Sequence, residues 1–535
     1  MKRVFFACLL MAALFVDAQT ATVTLSNKFE LKDRGLGDAT GSTCRLGNFF
    51  YCMQYDYKSM QFAIYPRLND KKYNISLYRY TADMKEVAKA ALNKGKKEFG
   101  PFAPQAIILN NKLLLFYYHA QDDGSVKLLL TTIEPETLTE TGVKELYTMH
   151  VKNVSTFETD GVIAHNQLSL VLSPNQKELL VTQSGNTNEI FTCIINDNNT
   201  VVKPAVTVIK NNIQDMAIQN GFLDNQENKC LSYTYTINKL YKRGVLVLNN
   251  KGTEAFMDFN TGSKEWESNK LSFHMSNDNA TLYIYANYYG DYMDDGVLLS
   301  TLNLQQLTYG PVQFFAYAND IKEKLYKMGF GVKGKDTYTV KRVDYACTEL
   351  DDGTLALTGY PSVTSSSMRM KPTIMNTNTL PASGTSHTAQ YQTVDISIAG
   401  PIINVFLKGG QSKFGLLYRK QPDTETSGYI PVAYKNKLVC IYCDSKKNLE
   451  LGQDEKVKGK EQPSDMVLVK AVVAADGTVI SREQIADTPF GSNYYYMDYN
   501  KQLTNTSYLI PIGRQRLNMA RYYTEIVQWA NVEVK

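Results

Sequence analysis

The chain has 535 residues, of which 44% are hydrophobic and 21% charged, so its composition is that of a folded globular protein and excludes a disordered or fibrous chain. This length exceeds that of a typical single domain and predicts either several domains or one large closed repeat. The 57 basic and 53 acidic residues give a net charge of +4, which does not favour nucleic acid as a partner.

The N-terminus has the pattern of a secretory signal peptide. Lys2-Arg3 precedes an apolar run over residues 4–16, and Val16-Asp17-Ala18 ends in the small residues of a cleavage site. The run is shorter than the roughly 20 residues of a membrane-spanning helix, and no later stretch approaches that length. We therefore expect residues 1–18 to be removed and the protein to be exported, without a membrane span, to the periplasm, the outer cell surface or the extracellular space. A lipid anchor on Cys8 is the less favoured alternative.

One segment near the start of the mature chain has helix-forming composition: ADMKEVAKAALNKGKK, from Ala82 to Lys97. The segment from Asn110 to Met149 shows a different pattern. Two runs rich in Leu and Tyr flank a loop that contains glycine, and a third run follows a short turn, which is the signature of antiparallel hairpins. Because this second pattern dominates the chain, the sequence predicts an all-β fold with one helix.

An internal repeat organises the apolar runs. Each apolar run ends in a polar turn. An aligned polar residue, most often threonine, follows in the turn and precedes the next apolar run. Seven such turns align at Asp83, Thr137, Thr200, Thr253, Gln306, Thr379 and Thr478. A repeat of roughly 50 to 70 residues with four antiparallel strands is the signature of a β-propeller blade.

The two ends of the chain supply material for a further blade. The tail from Asn493 to Trp529 contains three apolar runs, and the run from Ala21 to Leu31 provides a fourth. We therefore predict eight four-stranded antiparallel blades, with the ring closed by pairing of the N- and C-terminal strands, in a single domain over residues 19–535. The alternative is seven blades, with the tail completing an earlier blade.

Two segments carry a family resemblance. Residues 173–181 (SPNQKELLV) and 276–284 (SNDNATLYI) resemble the S-P-D-G-x-x-L-Y turn of the WD40-like (PD40-type) propeller repeats of secreted bacterial envelope proteins, and residues 348–355 are a weaker copy. The resemblance implies a propeller fold. It implies no activity, because a family of that breadth has no common catalytic residues to transfer.

The cysteines do not predict a disulfide scaffold. Removal of Cys8 leaves an odd number, scattered over hundreds of residues. Cys440 and Cys443 have the spacing of a redox motif, but their flanks predict a strand, on which residues three apart lie on opposite faces. We interpret the cysteines as buried or paired structural residues.

In a propeller, the loops between the second and third strands of each blade gather with the inter-blade loops on one face, which is the default ligand site. The loop from Asn287 to Gly296 combines rings that stack on sugars with carboxylates that bind hydroxyl groups. The candidate ligand-binding residues are Tyr288, Tyr289, Asp291, Tyr292, Asp294 and Asp295, with Asp122 and Asp123 in the corresponding loop of an earlier unit. The alternative is that the tyrosines are strand residues and the Asp-Gly pairs are turns.

The sequence predicts no bound metal or cofactor. The aspartates of these loops do not reproduce the D-x-[DN]-x-[DN]-G calcium loop, so calcium is only the less favoured alternative. The five histidines are isolated and show no paired metal-ligand spacing.

No catalytic motif is present either: the chain has no G-x-S-x-G elbow, no P-loop and no dinucleotide-binding fingerprint. We therefore expect a non-catalytic binding or scaffold propeller of the cell envelope, with a protein or a glycan as its partner. The alternative is a propeller-fold glycoside hydrolase or polysaccharide lyase, whose catalytic residues the sequence does not identify.

Overall fold

The computed structural model describes only part of the chain. The described residues are 20–25, 43–56, 74–81, 85–92, 105–121, 123, 125–150, 168–184, 189–208, 214–237, 240–252, 254–258, 271–289, 295–304, 306–333, 338–340, 343–370, 391–419, 428–451, 465–487, 493–497, 501–504, 506–518 and 521–534.

The fold is a β-propeller of eight antiparallel blades, whose strands we call A to D from the inner to the outer edge. The N-terminal strand is β1 (Ala21–Leu25). Blades 1 and 2 contain β2 (Thr43–Leu46), β3 (Phe49–Asp56), β4 (Asn74–Thr81) and β5 (Glu86–Leu92), then β6 (Gln105–Leu109), β7 (Lys112–Ala120), β8 (Ser125–Ile133) and β9 (Glu140–His150). Blades 3 and 4 contain β10 (Leu168–Leu172), β11 (Leu179–Ser184), β12 (Glu189–Ile195) and β13 (Val201–Val208), then β14 (Gln214–Leu223), β15 (Lys229–Ile237), β16 (Leu240–Leu248) and β17 (Glu254–Asp258).

The second half of the ring carries the additions to the basic blade. Blade 5 contains β18 (Ser272–Met275), β19 (Leu282–Tyr289), β20 (Asp295–Asn303) and two short outer strands, β21 (Thr308–Tyr309) and β22 (Gln313–Ala316). An insert follows: α1 (Asn319–Lys327), β23 (Gly331–Lys333) and β24 (Tyr338–Val340). Blade 6 contains β25 (Val343–Glu349), β26 (Leu355–Met370), β28 (Ile402–Lys408) and β29 (Gln411–Leu417), while β27 (Tyr391–Ala399) pairs with the far end of β26.

Blade 7 contains β30 (Tyr429–Tyr434), β31 (Lys437–Ser445), the one-turn helix α2 (Lys446–Leu449), β32 (Met466–Ala474) and β33 (Val479–Ala486). Blade 8 contains β34 (Tyr494–Tyr495), β35 (Lys501–Thr504), β36 (Ser507–Asn518) and β37 (Arg521–Val534), with β1 as its outer strand.

Pairing of the two ends of the chain closes the ring. Strand β1 lies antiparallel to β37, with Ala21 opposite Val534 and Leu25 opposite Ala530. The prediction of eight blades closed by the N- and C-terminal strands is thus confirmed, and the seven-blade alternative is wrong.

The core consists of apolar layers between successive blades. In β7, Leu113 and Leu115 pack against blade 1, whereas Leu114 and Phe116 pack against blade 3. Similar apolar clusters lie between each pair of successive blades from blade 3 to blade 8. Because both faces of a blade are buried, its middle strands are continuous apolar runs rather than an alternation of apolar and polar residues.

The helix predicted over Ala82 to Lys97 is wrong within the described residues: Glu86–Leu92 is the outer strand β5, paired with β4. Ala88 and Ala90 face the neighbouring blade, whereas Val87 and Lys89 are exposed. Helix propensity is a weak preference, and the hydrogen-bonding edge of β4 overrides it. The rest of the predicted segment lies outside the described residues.

Six of the seven aligned turns connect strands C and D, as the repeat requires: those of blades 1 to 5 and of blade 7. The seventh assignment is wrong. Thr379, itself outside the described residues, falls between β26 and β27, and the C–D turn of blade 6 is Gly409-Gly410. Both glycines have positive φ angles, 57° and 76°, which glycine adopts readily. This two-residue turn has no position equivalent to the aligned threonine, aspartate or glutamine of the other turns.

The segments that start at Ser173 and Ser276 form the same A–B turn. The Ser276 hydroxyl donates to Asp278 Oδ1 at 2.5 Å and accepts from the Thr281 amide at 2.9 Å. The Ser173 hydroxyl likewise donates to Asn175 Oδ1 at 2.7 Å and accepts from the Glu178 amide at 3.1 Å. The fourth residue of each turn has φ of 58°, a left-handed conformation that glycine adopts most readily.

In the part of the chain that the structure describes, no helix is long and apolar enough to cross a membrane.

Ring closure predicts an asymmetric response to charge in β1. Val23 packs against the layer between blades 7 and 8, whereas Thr24 is exposed. We expect Val23→Asp to lower the free energy of unfolding by roughly 2 kcal/mol, because it desolvates a carboxylate, and Thr24→Asp to change it by less than about 0.5 kcal/mol. Urea denaturation followed by tryptophan fluorescence measures both, and equal effects would contradict the placement of β1.

Candidate functional site

The two faces of the ring differ in what connects the strands. The A–B and C–D connections are short turns, the longest of which run from Ser173 to Glu178, from Ser276 to Thr281 and from Glu134 to Thr139. The B–C and D–A connections meet at the opposite face. There lie the insert of α1, β23 and β24, the helix α2, and the paired far ends of β26–β27 and β36–β37. We call this the insertion face.

The candidate loop of blade 5 is the B–C connection predicted from the repeat, and the structure describes its two ends. Tyr288 and Asp295 are buried, while Tyr289 ends β19 and its side chain lies outside the described part. Asp291, Tyr292 and Asp294 also lie outside it. Ligand contact by this loop stays a prediction.

In blade 2, Asp123 is exposed in the B–C turn, and Asp122 lies outside the described residues. The carboxylate of Asp123 accepts hydrogen bonds from the Ser125 amide at 2.8 Å and from the Ser125 hydroxyl at 2.7 Å. One oxygen of Asp123 therefore stabilises the turn, and its part in ligand binding stays a prediction.

Asp295 holds the insert onto the ring. Its carboxylate forms an ion pair with Lys322 of α1, and the two side chains are 1% and 6% exposed. The backbone amide of Val340, in β24, also donates to Asp295. Burial raises the pKa of Asp295, and the hydrogen bond from Lys322 opposes that rise. Because both charges are removed from water, the charged form of each side chain is stable in the core only while the other is present.

A hydrogen-bond network extends from the same point. The amide group of Asn287 donates to the Gly296 carbonyl at 2.8 Å and to the Tyr317 hydroxyl at 3.1 Å. The hydroxyls of Tyr317, between β22 and α1, and Tyr345, in blade 6, are 2.5 Å apart, which links the segment before the insert to blade 6. Tyr288 packs edge-on against Phe314, with ring centroids 5.0 Å apart. Both ends of the candidate loop are thus fixed in the core.

Blade 7 carries a second buried carboxylate at this face. Asp444 accepts hydrogen bonds at 2.8 Å from the Asn448 side chain and from the Ser445 amide, and lies 3.6 Å from the guanidinium of Arg482. Arg482 also donates to the Asn448 carbonyl at 2.7 Å. These contacts hold α2 against the end of β31.

Between blades 6 and 7, Arg419 is buried over the ring of Tyr360, 4.8 Å from its centroid. It donates to the carbonyls of Gly400 at 3.1 Å and Gly428 at 3.3 Å. Sequence reasoning missed Lys322, Arg419 and Arg482, because an isolated cation at a strand or helix position looks the same whether it is solvated or paired.

On the opposite face, His274 of β18 lies beside Glu349 of β25, with Nε2 and Oε2 3.9 Å apart. Glu349 accepts a hydrogen bond from the Asn277 amide at 2.6 Å. Burial lowers the pKa of His274 to about 4 and raises the pKa of Glu349. The imidazole is therefore neutral at pH 7.

The part of the chain that the structure describes holds no group of three His, Cys, Asp or Glu side chains suited to a metal ion. Of the aspartates considered for calcium, Asp122, Asp291 and Asp294 lie outside the described residues. Among the aspartates that the structure describes, Asp295 is paired with Lys322, and Asp352 lies 2.6 Å from Lys408, which lowers the pKa of Asp352 to about 2.

Cys440 and Cys443 lie on opposite faces of β31, as predicted. Cys440 packs between blades 6 and 7, and Cys443 between blades 7 and 8. Burial raises the pKa of Cys440 to about 12 and that of Cys443 further. Because the thiolate is the reactive species, this environment disfavours redox chemistry at either residue.

No family model and no curated protein matches this chain. Solved structures do match. The quinohemoprotein alcohol dehydrogenase of Comamonas testosteroni is 8% identical with a TM-score of 0.37, over 95% of this chain and 76% of that one. The GH93 alpha-L-arabinofuranosidase of Fusarium graminearum is 10% identical with a TM-score of 0.31, over 69% and 92%. The apocarotenoid oxygenase of Synechocystis is 9% identical with a TM-score of 0.31, over 88% and 94%. No activity of these proteins transfers to this chain at such similarity.

The anchoring role of Asp295 predicts a non-additive mutant cycle. We expect Lys322→Met to lower the free energy of unfolding by about 3–5 kcal/mol, because it leaves a buried carboxylate unpaired, and the double variant Asp295→Asn/Lys322→Met to recover most of that loss. Urea denaturation measures each variant, with the exposed Lys324→Met as the control. Additive losses would show that the two residues act independently.

His274 predicts a loss of stability on acidification. The pKa of His274 is lowered in the folded state. The neutral imidazole therefore contributes its full share of the free energy of unfolding at pH values above about 6.5, and this share is lost as the pH falls towards 4. The contribution is at most on the order of 3 kcal/mol. Glu349 acts in the opposite direction, so the test compares the wild type with His274→Gln at each pH from 7 to 4. The variant should lose less stability over this range, and parallel curves would contradict the assignment.

Proposed function

We propose that this chain is an exported, non-catalytic binding or scaffold propeller of the cell envelope, and that its insertion face receives a protein or glycan partner. The observation that carries the proposal is the difference between the two faces. One face is built of short turns, and the other carries the insert, α2 and the extended strand pairs. Binding residues occur most often on loops that a rigid scaffold positions, and here the scaffold provides them at one face.

The buried charges of that face favour a platform over a hydrolase. A two-carboxylate mechanism requires one acid that is free to donate a proton and a second that acts as base or nucleophile. Asp295 is instead paired with Lys322, and Asp444 lies beside Arg482 and is hydrogen-bonded to α2. Both carboxylates serve to hold additional elements against the ring.

The location and the repeat type belong to the same proposal. Cleavage after Ala18 would leave β1, which starts at Ala21, intact as the closing strand of blade 8. The mature chain, residues 19–535, would then be a single propeller domain. The shared hydrogen-bonding pattern of the turns at Ser173 and Ser276 supports membership of the WD40-like repeats that they resemble.

A glycan array and an affinity capture from envelope extracts, both with the mature protein, test the function. The candidate loop should supply part of the contact, so we expect Tyr289→Ala/Tyr292→Ala to weaken binding about tenfold through loss of ring stacking. Asn198→Ala, in a C–D turn of the opposite face, is the control. Absence of any glycan or protein partner would refute the proposal, and release of new reducing ends from a bound glycan would show an enzyme instead.

A further inference from the structure

The strand that closes the ring leaves one backbone edge on the rim of the propeller. Strand β1 is the terminal strand of blade 8, and it pairs with β37 over five consecutive residues without a register shift. In the part of the chain that the structure describes, β37 is its only strand partner. The N–H and C=O groups on the other side of β1 therefore face outward, which is the position at which a further strand adds to a sheet.

The other outer strands of the ring carry features that discourage such pairing. Charged side chains, proline and β-bulges each protect an edge. The outer strands of blades 1, 2, 3 and 7 have register shifts in their pairing, and β13 also contains Pro204. Each outer strand of blades 1 to 4, 6 and 7 holds at least one charged residue, in chain order Lys89, Lys144, Lys203, Glu254, Lys413 and Glu483. Blade 5 ends in strands of two and four residues, which are short edges.

Strand β1 has none of these protective features. Its sequence, Ala-Thr-Val-Thr-Leu, contains no charged residue and no proline. Thr22 and Thr24 are exposed on one face, and Leu25 at the end of the strand is 47% exposed. A regular, uncharged edge with an exposed leucine is the kind of edge to which another strand pairs.

The sequence of β1 indicates that the pairing strand belongs to a second copy of this chain. The order Ala-Thr-Val-Thr-Leu reads nearly the same in both directions about Val23. In an antiparallel pair centred on Val23, Thr22 of each copy lies opposite Thr24 of the other, and Ala21 lies opposite Leu25. Opposed threonines form a favourable cross-strand pair. The edge is thus self-complementary, as the interface of a two-fold dimer must be.

We propose that two copies of the propeller associate through antiparallel pairing of their β1 strands, which joins the two eighth blades into one continuous sheet. The direction of β1 is fixed relative to the two faces of the ring, because Ala21 lies opposite Val534 and Leu25 opposite Ala530. Antiparallel pairing therefore points the two insertion faces in opposite directions, so the dimer has one such face on each side.

The contact is small, since β1 has five residues. It falls in the class of interfaces that bury less than about 1,200 Å², so the dimer is weak and reversible. The association needs no ligand at the insertion face, and it is therefore independent of the proposed function.

Sedimentation velocity of the mature protein over a concentration series tests the dimer, and the wild type should show a reversible monomer–dimer equilibrium. Thr22→Lys/Thr24→Lys sets like charges opposite each other across the two-fold axis, and should weaken dimerisation about tenfold. Lysine suits position 22 because that position lies opposite Glu533 within the chain, so ring closure is not disturbed. Thr22→Lys/Thr24→Glu sets opposite charges across the axis, and should restore most of the affinity.

The control is Val206→Lys/Val208→Lys, which adds the same charge at alternate exposed positions of β13 and should change the dimer affinity less than twofold. Should the double lysine variant of β1 fail to fold by circular dichroism, Leu25→Ser alone should weaken the dimer at least threefold. A wild type that stays monomeric up to its solubility limit would overturn the proposal, even if it bound an extended peptide of another protein. Equal losses in the β1 and β13 variants, or no recovery with Thr22→Lys/Thr24→Glu, would overturn the antiparallel pairing as well.

Discussion

The antiparallel pairing of Ala21–Leu25 with Arg521–Val534 is the contact on which the rest of the structure depends. Apolar layers join each blade to the next from blade 1 to blade 8, so a blade inside the series is covered on both faces. A linear array of such blades would leave its terminal sheets exposed, whereas a ring has no ends. The N-terminal strand completes blade 8 from the far end of the sequence, so closure couples the first and last strands of the fold.

Closure also decides where functional residues are available. Because the sheet faces pack against neighbouring blades, the surface available for binding lies mainly at the two edges of the ring. At one edge, the A–B turns that begin at Ser173 and Ser276 hydrogen-bond their polar side chains within the turn. The insertion face is the edge to which other elements have been added. Its buried ion pair, Asp295 with Lys322, fixes one such element against the ring. The partner-binding surface that we propose there would therefore be preorganised.

Much of the architecture could be predicted from sequence, because it depends on local patterns. Repeated hairpins predicted the blades, and the spacing of Cys440 and Cys443 on a strand predicted their opposite faces. Glu86–Leu92 was mistaken for helix because its alanines and lysines favour one, while its partner edge is invisible in sequence. Thr379 was mistaken for a blade turn because an insertion imitated the repeat. Of the candidate ligand residues, Tyr288 and Asp295 are buried, which no local pattern distinguishes from exposure.

Ring closure is the central claim, and a cross-link tests it most directly. Thr22 lies opposite Glu533 in the register of β1 and β37, within the separation that a disulfide spans. Under mild oxidation, Thr22→Cys/Glu533→Cys should yield one linked peptide containing both ends of the chain in a non-reducing digest. Thr22→Cys/Gln528→Cys, five positions out of register, should yield none. Absence of the first link, or equal linking of both variants, would contradict a ring closed by its terminal strands.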